Sequence, residues 1–62
     1  MDNFTAVMIA EGAQPSTVEE QMAAWQQLVD TGLAWKLQGT FGRTAQHLIE
    51  EGYISPATEA AQ

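Results

Sequence analysis

The stretch Ser16-Thr17-Val18-Glu19-Glu20-Gln21-Met22-Ala23-Ala24-Trp25-Gln26-Gln27-Leu28-Val29-Asp30-Thr31-Gly32 decides the fold. Its apolar residues Val18, Met22, Trp25, Leu28 and Val29 recur at spacings that keep them on one face of an α-helix. At its start, the Ser16 hydroxyl is placed to accept from the Glu19 N–H, and the Glu19 carboxylate to reach back, as in a capping box. Glu19 and Glu20 in the first turn suit the positive end of the helix dipole. Gly32 supplies a stop. The stretch therefore predicts a helix over residues 17–31 whose apolar face must be covered by the rest of the chain.

Working towards the N-terminus, Asn3–Glu11 carries Phe4, Val7, Met8 and Ile9 at helical spacing, and Gly12 follows. A short helix over residues 3–11 is predicted, joined by Ala13-Gln14-Pro15. Working towards the C-terminus, Leu33–Gln38 reads two ways. Leu33, Trp35 and Leu37 alternate with Ala34, Lys36 and Gln38, the period of a strand. The same residues could form one or two helical turns after Gly32. A lone strand would leave an open edge, so a short extended or irregular segment is expected.

Gly39-Thr40-Phe41-Gly42 reads as a turn into a third helix over residues 41–51, with Thr40 as N-cap. Phe41, Ala45, Leu48 and Ile49 make its apolar face, Gly52 ends it, and Tyr53-Ile54 can fold back over the end. Ser55-Pro56 stops regular structure. The expectation is an all-α, three-helix unit forming one domain over residues 1–54, with a flexible tail over residues 55–62.

The chain has 62 residues, no cysteine and one histidine. A domain this short buries only about 60% of the surface its unfolded chain exposes. Disulfides are excluded, and a zinc site within one chain is disfavoured. Self-association is the remaining way to add buried surface, so a homo-oligomer is expected. Eight acids against two bases give a net charge of −6. That balance disfavours nucleic acid and anionic membranes as partners. No apolar run approaches the ~20 residues that span a bilayer, and the N-terminus lacks the basic region of a signal peptide. A soluble intracellular protein is expected.

The charge is unevenly spread. Between Thr31 and Ile49 there is no acid, and Lys36, Arg43 and His47 all lie there. Within this island, Lys36-Leu37-Gln38-Gly39-Thr40-Phe41-Gly42-Arg43-Thr44 is the one candidate site. Gly39 and Gly42 allow close backbone approach. The start of a helix offers free N–H groups to an anion. Thr40 and Thr44 bring hydroxyls, Lys36 a further positive charge, Gln38 an amide, and Arg43 a fork that matches phosphate or carboxylate. Trp35 and Phe41 can stack a ring. These parts suit a phosphorylated aromatic molecule such as a nucleotide. The competing reading is a plain interhelical turn with Arg43 paired to Asp30 or Glu50. His47 has no cysteine or serine partner and reads as a surface residue. Glu50 and Glu51 point about 100° apart on a helix and cannot share a site. No catalytic constellation, metal site or cofactor motif is present, so a non-enzymatic role is expected.

From Leu28 to Gly52 the chain resembles a group of very short, acidic, uncharacterised proteins of tailed bacteriophages. Their shared core reads roughly L-[IV]-D-[ST]-G-L-x-W-x-L-Q-G-[ST]-[YF]-G-R-T-A-x-x-L-I-x-x-G. Phe41 stands where tyrosine is at least as frequent, which removes one hydroxyl. The resemblance covers about residues 28–54. It implies a phage origin, a host-cytoplasm setting and a role against host defence. One such role is a homo-oligomer that sequesters a cyclic or ADP-ribose-type nucleotide signal. The residues expected to bind it are Trp35, Lys36, Gln38, Gly39, Thr40, Phe41, Gly42, Arg43, Thr44 and His47. The alternative is an interaction module that inhibits a host defence protein through an acidic or aromatic surface, including Glu19, Glu20, Glu50 and Glu51. Two helices around a glycine turn also suggest helix-turn-helix DNA binding, which the net charge opposes.

Overall fold

A computed structural model describes residues 1–37 and 39–56. Among them are three α-helices and no strand: α1 (Asn3–Glu11), α2 (Val18–Asp30) and α3 (Phe41–Glu50), with a 3-10 turn over Leu33–Trp35 between α2 and α3. Residues 57–62 of the expected tail and the candidate site residue Gln38 lie outside the described residues.

The α2 helix starts one residue later than the sequence suggested. Thr17, in extended conformation, is the N-cap. Its hydroxyl accepts from the Glu20 N–H at 3.0 Å, and the Glu20 carboxylate accepts from the Thr17 N–H at 2.9 Å. The capping box is thus Thr17–Glu20, not Ser16–Glu19. Both serine and threonine satisfy the chemistry, and local sequence cannot separate two registers one residue apart. Ser16 is instead within 3.3 Å of the Gln21 amide nitrogen. Val18, expected on the apolar face, is the first residue of α2 and is 75% exposed.

The α1 helix matches its predicted bounds. Gly12, at φ +81°, donates to the Ile9 carbonyl, and the Ala13 N–H donates to that of Met8. This is a glycine-terminated helix end that satisfies two free carbonyls. The buried residues are Ala6 and Ile9, while Phe4 is 71% exposed. Small Ala6 lets α1 lie close along α2, and the larger Phe4 falls on the far side.

The Asp2 side chain caps α1 by accepting from the Thr5 N–H at 3.0 Å. The Thr5 hydroxyl, and then its N–H, hold the Asp2 carboxyl below its ordinary range. A carboxyl lowered by folding stabilises above its unfolded pKa, and that contribution disappears as pH falls through the folded value. Protection of the Thr5 amide should therefore decline at the acid end of a pH series. Asp2→Asn keeps the acceptor without the charge and should show no such step; an identical acid step in Asp2→Asn would contradict the role given to Asp2.

Leu33–Trp35 forms a 3-10 turn, not an extended segment. Gly32 takes φ +83° and starts it, and the Lys36 N–H closes it on the Leu33 carbonyl at 2.9 Å. The alternation of large and small side chains does not sort the faces: Ala34 is fully buried and Trp35 is 49% exposed. Ala34 faces inward because the turn passes between α2 and α3, where only a small side chain fits.

The α3 helix ends with Glu51 as C-cap and Gly52 at φ +84°. The N–H groups of Tyr53 and Ile54 donate to the Leu48 carbonyl at 2.9 and 3.4 Å. Of the predicted fold-back pair, Ile54 is buried and Tyr53 is exposed. The Gln26 amide then clasps the next residue. Its Nε2 donates to the Ser55 carbonyl, and its Oε1 accepts from the Ser55 N–H, both at 2.8 Å.

The core gathers Ala6 and Ile9 of α1, Ala24, Trp25, Leu28 and Val29 of α2, Ala34, Ala45 and Ile54. Phe41, Leu48 and Ile49 of α3 pack against it from partly buried positions. Full burial of a leucine or valine stabilises by about 1.5–3 kcal/mol. Leu28 and Val29 are the largest fully buried side chains, so most of the apolar free energy centres on α2.

Candidate functional site

Trp25 lies at the middle of α2 and Phe41 opens α3. Their ring centroids are 5.6 Å apart with planes tilted by 42°, a spacing at which aromatic rings attract. This pair floors an open groove of about 580 Å³. One wall is the end of α1 and the turn after it, Ala10 to Ala13, with Gln21 of α2 beside it. The other wall is Thr40 and Thr44 at the start of α3. The volume falls within the range of small-molecule sites, about 300–1,000 Å³.

Three of the ten expected site residues therefore meet in one concavity: Thr40, Phe41 and Thr44. Thr40 occupies the N-cap position of α3, but its backbone lies at φ −98°, ψ 10° and its hydroxyl makes no capping bond. The first turn of α3 contains no acid. Among the described residues, no side chain caps the first-turn N–H groups at this end.

Trp35 and Gly42 pair on a different face. A Cβ on Gly42 would lie 3.5 Å from Trp35 Cε3 and 3.6 Å from the Ala34 carbonyl oxygen. The glycine seats the indole against α3, and the room left is that of an ordinary contact. Gly42→Ala should therefore fit and stabilise α3 by up to about 1 kcal/mol through helix propensity. Gly42→Ile should push the indole away and shift its fluorescence to the red. A fall in melting temperature for Gly42→Ala would contradict this packing.

Arg43 is exposed. Among the described residues no carboxylate lies within salt-bridge distance of it. The carboxylates that the sequence offered as partners are otherwise engaged. Asp30 accepts from the Gln26 amide at 3.1 Å, and Glu50 from the Gln46 amide at 3.3 Å. Arg43 follows Thr40 by three residues in the first turn of α3 and does not line the groove. His47 is exposed one helical turn on from Arg43. Lys36 is exposed after the 3-10 turn, and Gly39 takes φ +80° in the loop before α3.

The groove's other half was missed by sequence reasoning. Glu11, Gly12, Ala13 and Gln21 lie far from α3 in the chain and carry no motif. Only the packing of α1 along α2 brings them opposite Thr40 and Thr44. Among the described residues no group of acidic or histidine side chains could hold a metal ion. No helix is long and apolar enough to cross a membrane.

A family model described as a domain of unknown function, DUF7417, matches residues 3–62. The chain belongs to that family. The match takes in all three helices, α1 included, and so reaches well beyond the stretch from Leu28 that carried the resemblance. No curated protein and no solved structure matches the chain.

Proposed function

We propose that this DUF7417 protein is a phage-encoded, non-enzymatic binder of an anionic, nucleotide-like signalling molecule. It would act in the host cytoplasm by holding a signal of antiviral defence away from its receptor. The observation that carries this reading is the groove lined by Trp25 and Phe41, which opens at the start of α3, where Thr40 makes no capping bond and the exposed Arg43 has no ion pair among the described residues. The ring of the ligand stacks on the partly exposed Phe41, which the buried Trp25 backs, and stacking contributes about 1–3 kcal/mol per base. The phosphate sits outside the groove, on the α3 first turn and the Arg43 guanidinium, which hold it through charge-assisted hydrogen bonds. A homo-oligomer would extend the groove wall and cover the exposed aromatics.

The test is to incubate the purified protein with lysate of infected cells, repurify it, release bound molecules by heat and identify them by mass spectrometry. A nucleotide-like anion in the heated fraction is the expected result. An empty fraction, with a host protein co-purifying instead, would favour a protein-interaction module. The exposed Phe4, Trp35 and Tyr53 are the observation behind that second reading, since large aromatics anchor protein interfaces.

A further inference from the structure

We propose that the groove selects guanine among the nucleobases, an inference that rests on the ligand reading above. Among the described residues, the one charged side chain lining the groove is Glu11. A carboxylate repels phosphate, so the part of the ligand inside the groove must present hydrogen-bond donors to that wall. Gln21 adds to the same wall with a defined polarity. Its Nε2 is held by the Ile9 carbonyl at 3.2 Å and by Ser16 Oγ at 3.3 Å. That fixes the carboxamide and leaves Oε1 as a second acceptor.

The opposite wall has the reverse polarity. Thr40 and Thr44 bring hydroxyls that can donate, and that of Thr40 is unused by its own helix. The groove therefore runs from acceptors on the α1 side to donors on the α3 side, over an aromatic floor. Guanine is the base with that polarity in one plane. Its N1–H and N2–H₂ lie side by side and match the two oxygens of a carboxylate, while O6 and N7 accept on the next edge. Adenine offers one amino group there and turns the N1 lone pair towards Glu11. An analogue without the N2 amino group forfeits one of the two hydrogen bonds to the Glu11 carboxylate, and adenine, with a lone pair at N1, forfeits the bidentate pairing.

The test is isothermal titration of the full chain with guanosine, inosine and adenosine monophosphates. Inosine monophosphate lacks only the N2 amino group. Guanosine monophosphate should bind at least about tenfold more tightly than either, as expected for one bidentate base contact. Glu11→Gln should bring its affinity down to that of inosine monophosphate with the melting temperature unchanged, since Glu11 is exposed. Equal affinity for guanosine and adenosine monophosphates overturns guanine selection and leaves nucleotide binding standing. Absence of binding by all three overturns both.

Discussion

Trp25→Ala should leave the chain without a cooperative unfolding transition. Trp25 is 5% exposed, sits in the middle of α2 and touches Phe41 at the head of α3. Truncating a buried tryptophan costs about 3–5 kcal/mol. At about 0.05–0.15 kcal/mol per residue, a chain of this length has only about 3–9 kcal/mol to lose. The loss is concentrated where the fold is thinnest. α1 packs along α2, but α3 reaches the core mainly through the 3-10 turn and through Phe41, Ala45 and Leu48. Removing Trp25 takes away the ring on which Phe41 rests and detaches α3 first. Urea titration followed by helical circular dichroism should show the midpoint displaced to the lowest concentrations or absent. Trp25→Phe, which keeps a ring in place, should recover much of the loss. A Trp25→Ala midpoint equal to that of the parent would mean that α3 is held by other contacts and that the aromatic floor is not structural.

Arg43→Ala should have the opposite signature, with ligand binding weakened and the fold intact. The guanidinium is exposed and makes no ion pair with a described residue, so its removal takes nothing from the core. Surface substitutions of this kind change stability by about 0.5 kcal/mol or less. A hydrogen bond to a charged group contributes about 1.5–3 kcal/mol, so affinity for a phosphorylated ligand should fall by about ten- to a hundredfold. Arg43→Lys should restore only part of it, because an ammonium is a point charge without the planar fork that matches phosphate. Titration calorimetry and a thermal melt on the same samples separate the two effects. A melt lowered as far as that of a core variant would assign Arg43 to the scaffold instead of to the ligand.

The three helices were legible because each has its own punctuation. Gly12, Gly32 and Gly52 all adopt positive φ at the places where the apolar period stops. The stripe through Met22, Trp25, Leu28 and Val29 has only one helical face to occupy. Less legible were features that depend on neighbours. Ser16 and Thr17 compete for one cap, and the threonine takes it. Leu33–Trp35 alternates like a strand, but a glycine at φ +83° on one side and α3 on the other force a 3-10 turn. The candidate site was half legible. Thr40, Phe41 and Thr44 sit together because they share one helix start. Trp35 and Gly42 were grouped with them by proximity in sequence and lie on another face. Glu11 and Gln21 could not be found at all, because what makes them part of the groove is a contact between helices and not a local pattern.

The proposed site is one groove, between the end of α1 and the start of α3. The most direct measurement is a backbone amide NMR titration of the full chain with guanosine monophosphate. Shifts should be confined to Glu11–Ala13, the Gln21 side-chain amide and Thr40–Thr44, saturating together with one affinity. Shifts that instead map to Phe4, Trp35 and Tyr53, or that never saturate, would contradict it.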